Sequence, residues 1–184
     1  LIVRETTRVS AIARGLLDFA RESKPQKRPC NINDLIRHTL SLVERQAVFQ
    51  NIRIVKNLDP QVPIILLDVN QIQQVFMNVL LNAADAMLQE GTLTITSNYP
   101  GRDSFVQVKI TDTGCGIPEE NLSRIFDPFF TTKADKKGTG LGLAVSYGII
   151  DRHRGRIEVQ SELGRGTAIT IHLPLEAAEE VPSV

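Results

Sequence analysis

The 184-residue chain has no excess charge: Lys and Arg number 21, Asp and Glu number 21, and the net charge is zero. Without a charge imbalance there is no bulk pull towards nucleic acid or an anionic membrane, so neither is an expected partner. No apolar run approaches the length of a membrane-spanning helix, and the N-terminus lacks the pattern of a secretory signal. Any membrane attachment would therefore come from sequence upstream. The chain starts at Leu1, as an excised piece of a longer protein would. Cysteine is scarce: Cys30 and Cys115 stand alone, without metal-ligand spacing, and read as reduced thiols of a cytoplasmic protein. The known phosphate loops are missing too. No Lys-Ser/Thr follows the glycines, and no strand runs directly into GTGLG as a dinucleotide fingerprint requires. What remains is ordinary for a globular chain with one core and an appendage: 42% hydrophobic residues and a mean hydropathy of −0.06.

Residues 112–143 organise the rest. Two glycine clusters, DTGCGI at 112–117 and GTGLGL at 138–143, bracket an aromatic knot, FDPFF at 126–130, and a polar run, TTKADKK at 131–137. Glycine clusters mark backbone that turns sharply or approaches a ligand closely. Gly138, Gly140 and Gly142 precede an apolar helical pattern, which puts unpaired N–H groups and a positive helix end beside the loop. The stretch reads as a hinged lid over a nucleotide.

Taken in order, residues 1–23 predict a helix whose apolar positions (Ile2, Val9, Leu16; Ile12, Phe19) repeat every seven residues, as in a bundle or coiled coil. Lys24-Pro25 and Arg28-Pro29 break it and make 24–31 a linker. A second helix is expected over 32–50, capped by Asn31 or Asn33, with Leu35, Ile36, Leu40, Leu42, Val43, Ala47 and Val48 on its apolar face. Residues 51–58 alternate as a strand, and the apolar run 64–67 leads to Asp68, a helix cap. Strands follow at 92–98 and 105–112, a helix at 141–153, and a closing hairpin from 155–161 and 166–174. The acidic tail 176–184 reads as disordered.

The helix expected over 69–90 carries the chemistry. Val69, Ile72, Phe76, Val79, Leu80, Ala83 and Met87 form its apolar face, while Gln71, Gln74, Asn78, Asn82 and Asp85 share the other. Asn78 and Asn82 lie one turn apart inside VFMNVLLNAA, which is apolar almost all round. Burying an amide unpaired costs on the order of 1–3 kcal/mol, so this pair wants a polar ligand. A side-chain carbonyl suits Mg²⁺, which takes few protein ligands and completes its shell with phosphate and water. Asp112 ends a strand directly before the first glycine cluster, where a carboxylate either caps a turn or accepts from an exocyclic amine.

NVLLNAADAM, DTGCGI, FDPFFTTK, GTGLGL and GRGT occur in the order seen in the ATP-binding domain of sensor histidine kinases, part of the superfamily that includes DNA gyrase B, Hsp90 and MutL. The chain resembles that family over about residues 30–175, and PFFTTK with GTGLGLA resembles its nitrogen-regulation type. The resemblance implies an α+β fold: a two-layer sandwich, a mixed sheet covered on one face by helices, with ATP between the helices and the lid. It makes 1–23 the second helix of a dimerisation and histidine-phosphotransfer domain and 32–175 the catalytic domain. Position by position, Asn82 resembles the Mg²⁺ ligand, Asn78 its polar neighbour, and Asp112 the adenine-reading carboxylate. Gly114, Gly116 and Ile117 resemble the base pocket, and Thr167 the residue supporting adenine. Phe126, Phe129 and Phe130 resemble the lid anchor, and Lys133 would reach the phosphates. Thr131, Thr132, Gly138, Thr139, Gly140, Leu141, Gly142 and Leu143 complete the implied ATP contacts. Asp85 departs from relatives that carry Lys or Arg there.

The resemblance also implies a homodimer formed through the N-terminal bundle, a response regulator receiver domain as partner, and transfer of the ATP γ-phosphoryl to a His. None of His38, His153 and His172 sits in the family's His-acidic motif, so the acceptor is expected upstream. ATP-hydrolysing cousins carry a Glu where Asn78 stands, and an amide cannot act as a general base. That favours a kinase over an ATPase-driven switch of the gyrase or chaperone kind. A nucleotide-sensing module and an anti-sigma-type Ser kinase are the remaining alternatives.

Overall fold

The computed structural model describes residues 24–88, 90–101, 105–132 and 138–175. The helix expected over 1–23, the lid residues 133–137 with Lys133, and the tail 176–184 lie outside the described residues.

Five strands form one mixed sheet in the order β2-β4-β5-β7-β6. They are β2 (Ile52–Leu58), β4 (Gly91–Asn98), β5 (Phe105–Asp112), β6 (Arg156–Glu162) and β7 (Gly166–Pro174). β2 runs parallel to β4, and every other pairing is antiparallel. The period-2 pattern sets the faces. Leu93 and Ile95 of β4, Val106, Val108 and Ile110 of β5, and Ile169, Ile171 and Leu173 of β7 are all buried. Three helices share that core: α1 (Ile32–Val43), α2 (Val69–Ala86) and α4 (Gly142–Arg152), with a single helical turn, α3 (Glu119–Leu122), on the way. The α+β architecture, a mixed sheet covered on one face by helices, is the one expected.

Helix α1 follows from its stripe: Ile32, Leu35, Ile36, Thr39, Leu40 and Val43 recur at three- and four-residue steps and are buried. Asn31 is its cap, accepting from Asn33 N–H at 2.9 Å. The helix stops at Val43, not at 50. The stripe has no apolar residue at Gln46 to continue it, and the chain turns through a short 3₁₀ segment, Ala47–Phe49, that buries Phe49 instead. Leu42 lies off the stripe and is exposed.

Helix α2 also ends early, at Ala86; Leu88 takes φ +52°, a left-handed conformation that no helix continues through. Its start is as expected, with the Asp68 carboxylate accepting from Asn70 and Gln71 N–H.

Residues 28–30, within the stretch read as linker, form β1 (Arg28–Cys30), antiparallel to β3 (Ile65–Leu67) in a separate two-stranded sheet. Pro29 hides this strand in the sequence, although a two-stranded ribbon has edges that tolerate proline. Among the described residues, no helix is long and apolar enough to cross a membrane.

Candidate functional site

Asp112 takes the next core-facing place after Val106, Val108 and Ile110 on β5, with Leu93 and Thr167 as its cross-strand neighbours. Strand alternation therefore turns a carboxylate into the helix-covered layer, where it is 6% exposed. Its Oδ1 accepts from Gly114 N–H at 2.8 Å and Thr167 N–H at 3.3 Å. Both bonds fall on one oxygen; among the described residues Oδ2 accepts none. Burial pushes the Asp112 carboxyl above its ordinary value, and the two backbone donors only partly oppose this.

The 114–117 loop is clamped between the end of α2 and the β6–β7 hairpin. Cys115 N–H donates to Ala86 O at 3.1 Å, and Gly164 N–H donates to Cys115 O at 2.7 Å. Gly116 has φ +70°, and a Cβ there would collide with the Glu162 carbonyl, so no other residue fits. Ile117 N–H donates to Ser161 Oγ at 2.8 Å. Ser161 Oγ in turn lies 2.9 Å from both Gly166 O and Thr167 Oγ1. Asp112, Gly114, Gly116, Ile117 and Thr167 thus meet in one place. Ser161, which ties the loop to Thr167, has no sequence signal: it is a serine in a strand, and only the register reveals it.

The second half of the site joins α2 to α4. Asn78 Nδ2 donates to Gly142 O at 2.9 Å and to Ser146 Oγ at 3.2 Å, and Ser146 Oγ donates to Gly142 O at 2.8 Å. The Asn78 amide NH₂ is therefore occupied in holding the first turn of α4, leaving its Oδ1 as the uncommitted end. Asn82 is half-buried one turn further along α2, and Asp85 is exposed beyond it. Leu141 precedes α4 without any side-chain cap, so the first N–H groups of the helix are left for a partner outside it. The Leu141 side chain is core, and Leu143 packs partly against the core.

The aromatic knot is pinned to this entry. Phe129 N–H donates to Gly140 O at 2.9 Å. Gly140 has φ +68° with the Phe129 backbone against it, so a side chain would push the two segments apart. Phe126 lies against Tyr147 of α4, with ring centroids 5.5 Å apart, and the Arg124 guanidinium sits 4.7 Å over the Phe130 ring. Phe129 itself points outward. Thr131 and Thr139 are half-buried; Thr132 and Gly138 are exposed.

The donors suit a magnesium nucleotide. The Asp112 carboxylate, with both of its backbone bonds on Oδ1, can offer Oδ2 to an exocyclic amine, the open start of α4 suits phosphate, and amide oxygens of Asn78 and Asn82 suit a hard cation that keeps its phosphate and water ligands. Among the described residues, no group of three or more His, Cys, Asp or Glu could hold a metal ion by itself. His38 is exposed on α1, His153 is buried at the end of α4, and His172 is buried in β7 edge-on to Phe105.

Comparison with known proteins gives the family. The family model described as histidine kinase-, DNA gyrase B-, and HSP90-like ATPase matches residues 67–177, more than half the chain. The sensor histidine kinase ZraS of Salmonella typhi is 36% identical over 180 residues, covering 98% of this chain and 38% of its own. Sporulation kinase E of Bacillus subtilis is 36% identical, covering 98% of this chain and 24% of its own. The chain therefore spans well under half of these curated relatives. Among solved structures, the nucleotide-free catalytic domain of histidine kinase ThkA superposes with a TM-score of 0.72 at 34% identity, over 82% of this chain and 96% of that one. ThkA in complex with the response regulator protein TrrA gives 0.78 at 30% identity, over 95% and 49%. Full-length ShkA in complex with AMPPNP gives 0.83 at 26% identity, over 96% and 38%.

Proposed function

The chain belongs to the histidine kinase-, DNA gyrase B-, and HSP90-like ATPase family, and from that premise we propose that residues 32–175 are the ATP-binding catalytic domain of a two-component sensor histidine kinase. The observation that carries this reading is the buried Asp112 carboxylate, with Oδ2 uncommitted, on the same covered layer as the uncapped start of α4. Asp112 reads the adenine amine. Gly114, Gly116, Ile117 and Thr167 shape the base pocket around it. The N–H groups after Gly140 and Leu141, with Thr139, Gly142 and Leu143, face the phosphates, and Phe130, Thr131, Thr132 and Lys133 belong to the lid that closes on them.

Asn82 holds Mg²⁺, which would neutralise charge on the transferring phosphoryl group. Asn78 fixes α4 against α2, so that phosphate and metal contacts keep one geometry. Being an amide with its NH₂ bonded to Gly142 O and Ser146 Oγ, Asn78 does not activate water as a Glu would. That supports transfer to a protein nucleophile over hydrolysis, with rate gained from positioning and charge neutralisation. The acceptor is a His in a dimerisation domain whose second helix is 1–23. A response regulator, the kind of protein that ThkA binds in its complex with TrrA, then takes the phosphoryl to an Asp of its receiver domain. The likeness to the nitrogen-regulation type rests on PFFTTK and GTGLGLA alone; the relatives compared above carry other names.

The test uses γ-labelled ATP and Mg²⁺ with this chain and with a version extended upstream by one helical hairpin. Acid-labile, base-stable label on the extended chain alone is expected. Steady phosphate release without protein-bound label would replace the kinase with an ATPase switch.

A further inference from the structure

The ends of α2 and α4 away from Asn78 are joined by a separate chain of hydrogen bonds. Gln26 N–H, in the segment leading into the domain, donates to Asp68 Oδ2 at 2.9 Å. The other oxygen of Asp68 caps α2 through Asn70 and Gln71 N–H, each at 3.1 Å. Asp68 N–H donates to His153 Nε2 at 3.0 Å, and His153 Nδ1 lies 2.8 Å from Ile149 O in α4. β1 pairs with β3, which runs straight into Asp68, so the leading segment is held at the same junction twice.

His153 is 2% exposed. Only one tautomer satisfies both of its partners: a proton on Nδ1 for Ile149 O, and a lone pair on Nε2 for Asp68 N–H. A second proton, on Nε2, would set donor against donor in a buried place. We propose that the Asp68–His153 hydrogen bond is a latch joining the leading segment 24–30 to α4, and that proton uptake by His153 opens it, loosening that segment and the phosphate-facing end of α4 together.

The charged groups facing His153 are Lys27 from the leading segment, Asp68 from α2 and Arg152 from α4. Burial is the largest influence and disfavours the imidazolium; Lys27 and Arg152 add to this, while the Ile149 carbonyl and Asp68 oppose it. The closed latch therefore holds His153 neutral, and opening lets it charge. The junction is also incompletely satisfied: Gln71 Oε1 and Arg152 Nε are buried without a partner among the described residues. Such orphaned groups cost free energy in the closed form and are relieved in an open one. Residues 24–27 connect the domain to residues 1–23, so the latch governs how firmly that upstream chain is held to the α2–α4 pair. The nucleotide consequence rests on the ATP reading above; the latch does not.

The test is amide hydrogen exchange on the 184-residue chain at pH 7.5 and 5.5, corrected for the intrinsic pH dependence of exchange. Protection of residues 26–30 and 143–148 should fall about tenfold at the lower pH, as linkage to one histidine over about one unit allows. His153→Gln, whose side-chain oxygen can accept from Asp68 N–H without titrating, should hold its protection within roughly twofold. Unchanged protection in the parent chain, or an equal loss in His153→Gln, would overturn the proposal. NMR titration of His153 in the parent chain decides the matter if the variant does not fold. A protonation midpoint that tracks the exchange supports the latch, and one that does not overturns it. Affinity for a fluorescent ADP analogue separates the two readings. No binding at either pH, with the exchange response intact, sinks the ATP reading alone; binding that ignores pH sinks the coupling.

Discussion

At its C-terminal end, α4 is closed by backbone and side chain together. His153 N–H reaches both Ile149 O and Ile150 O at 3.1 Å, Arg154 N–H reaches Asp151 O at 2.7 Å, and Gly155 N–H reaches Ile150 O at 2.9 Å. At its N-terminal end the same helix follows Leu141 with no side-chain cap and has glycines on either side of that residue. Helix α2 mirrors this: Asp68 caps its start twice, and its far end opens onto the 114–117 loop. One end of the pair ties its helix termini into its own hydrogen bonds, with only Gln71 Oε1 and Arg152 Nε left over among the described residues, and the other leaves the first N–H groups of α4 and the second oxygen of the Asp112 carboxylate for a ligand. Unsatisfied groups of that kind persist in a folded protein where something else completes them.

Breaking the closed end should have the largest effect on stability. Asp68→Ala removes the acceptor for Asn70, Gln71 and Gln26 N–H and should cost roughly 2–3 kcal/mol, seen as a lower urea midpoint. A variant as stable as the parent would mean this junction does not hold the helices. Breaking the tie between the two helices near the open end is milder. Asn78→Ala removes the amide that bridges the two helices, leaving Ser146 Oγ and Gly142 O bonded to each other, and should cost about 1 kcal/mol, with nucleotide affinity falling around tenfold; affinity untouched by the loss would detach Asn78 from the site.

At the closed end, acid should act through His153. Burial holds His153 below the ordinary imidazole value of about 6.5, so the unfolded chain takes up the proton first. Stability is full above that value and declines as pH falls through it, by at most about 1.4 kcal/mol per unit until the folded group also titrates. Denaturation midpoints of the parent chain and His153→Gln at pH 7.5 and 5.5 isolate this contribution; parallel declines would exclude it. The smallest effect is expected from Cys115→Ser, whose thiol is exposed. Stability should stay within about 0.5 kcal/mol, and a larger shift would show that the loop packs more tightly than its exposed thiol suggests.

Much of this was legible in the sequence. The alternation at 105–112 gave β5 and put Asp112 at its end, and three- and four-residue steps gave the helix carrying Asn78 and Asn82. The glycine clusters marked the loops at 112–117 and 138–143. What stayed hidden depends on contacts distant in sequence. β1 is three residues long and contains Pro29, so only its pairing with Ile65–Leu67 makes it a strand. The end of α1 is set by Phe49 burying through a 3₁₀ turn, which periodicity alone does not reveal. Ser161 gains its place from the β6–β7 register, and His153 from a bond to a residue 85 positions away.

The most direct test of the account compares Asp112→Asn with the parent chain by calorimetric titration of Mg²⁺–ADP, alongside their urea midpoints. Raised above its ordinary value by burial, the Asp112 carboxyl favours folding while protonated; that contribution is lost as pH rises through its folded value, so at neutral pH the ionised group is a burden on the fold. Asn keeps an oxygen for Gly114 and Thr167 N–H. The account predicts affinity lower by about a hundredfold, as for a lost hydrogen bond to a charged group, with stability equal or higher. Unchanged affinity would contradict it, because the carboxylate would then be a turn-capping residue and the nucleotide site would have to lie elsewhere.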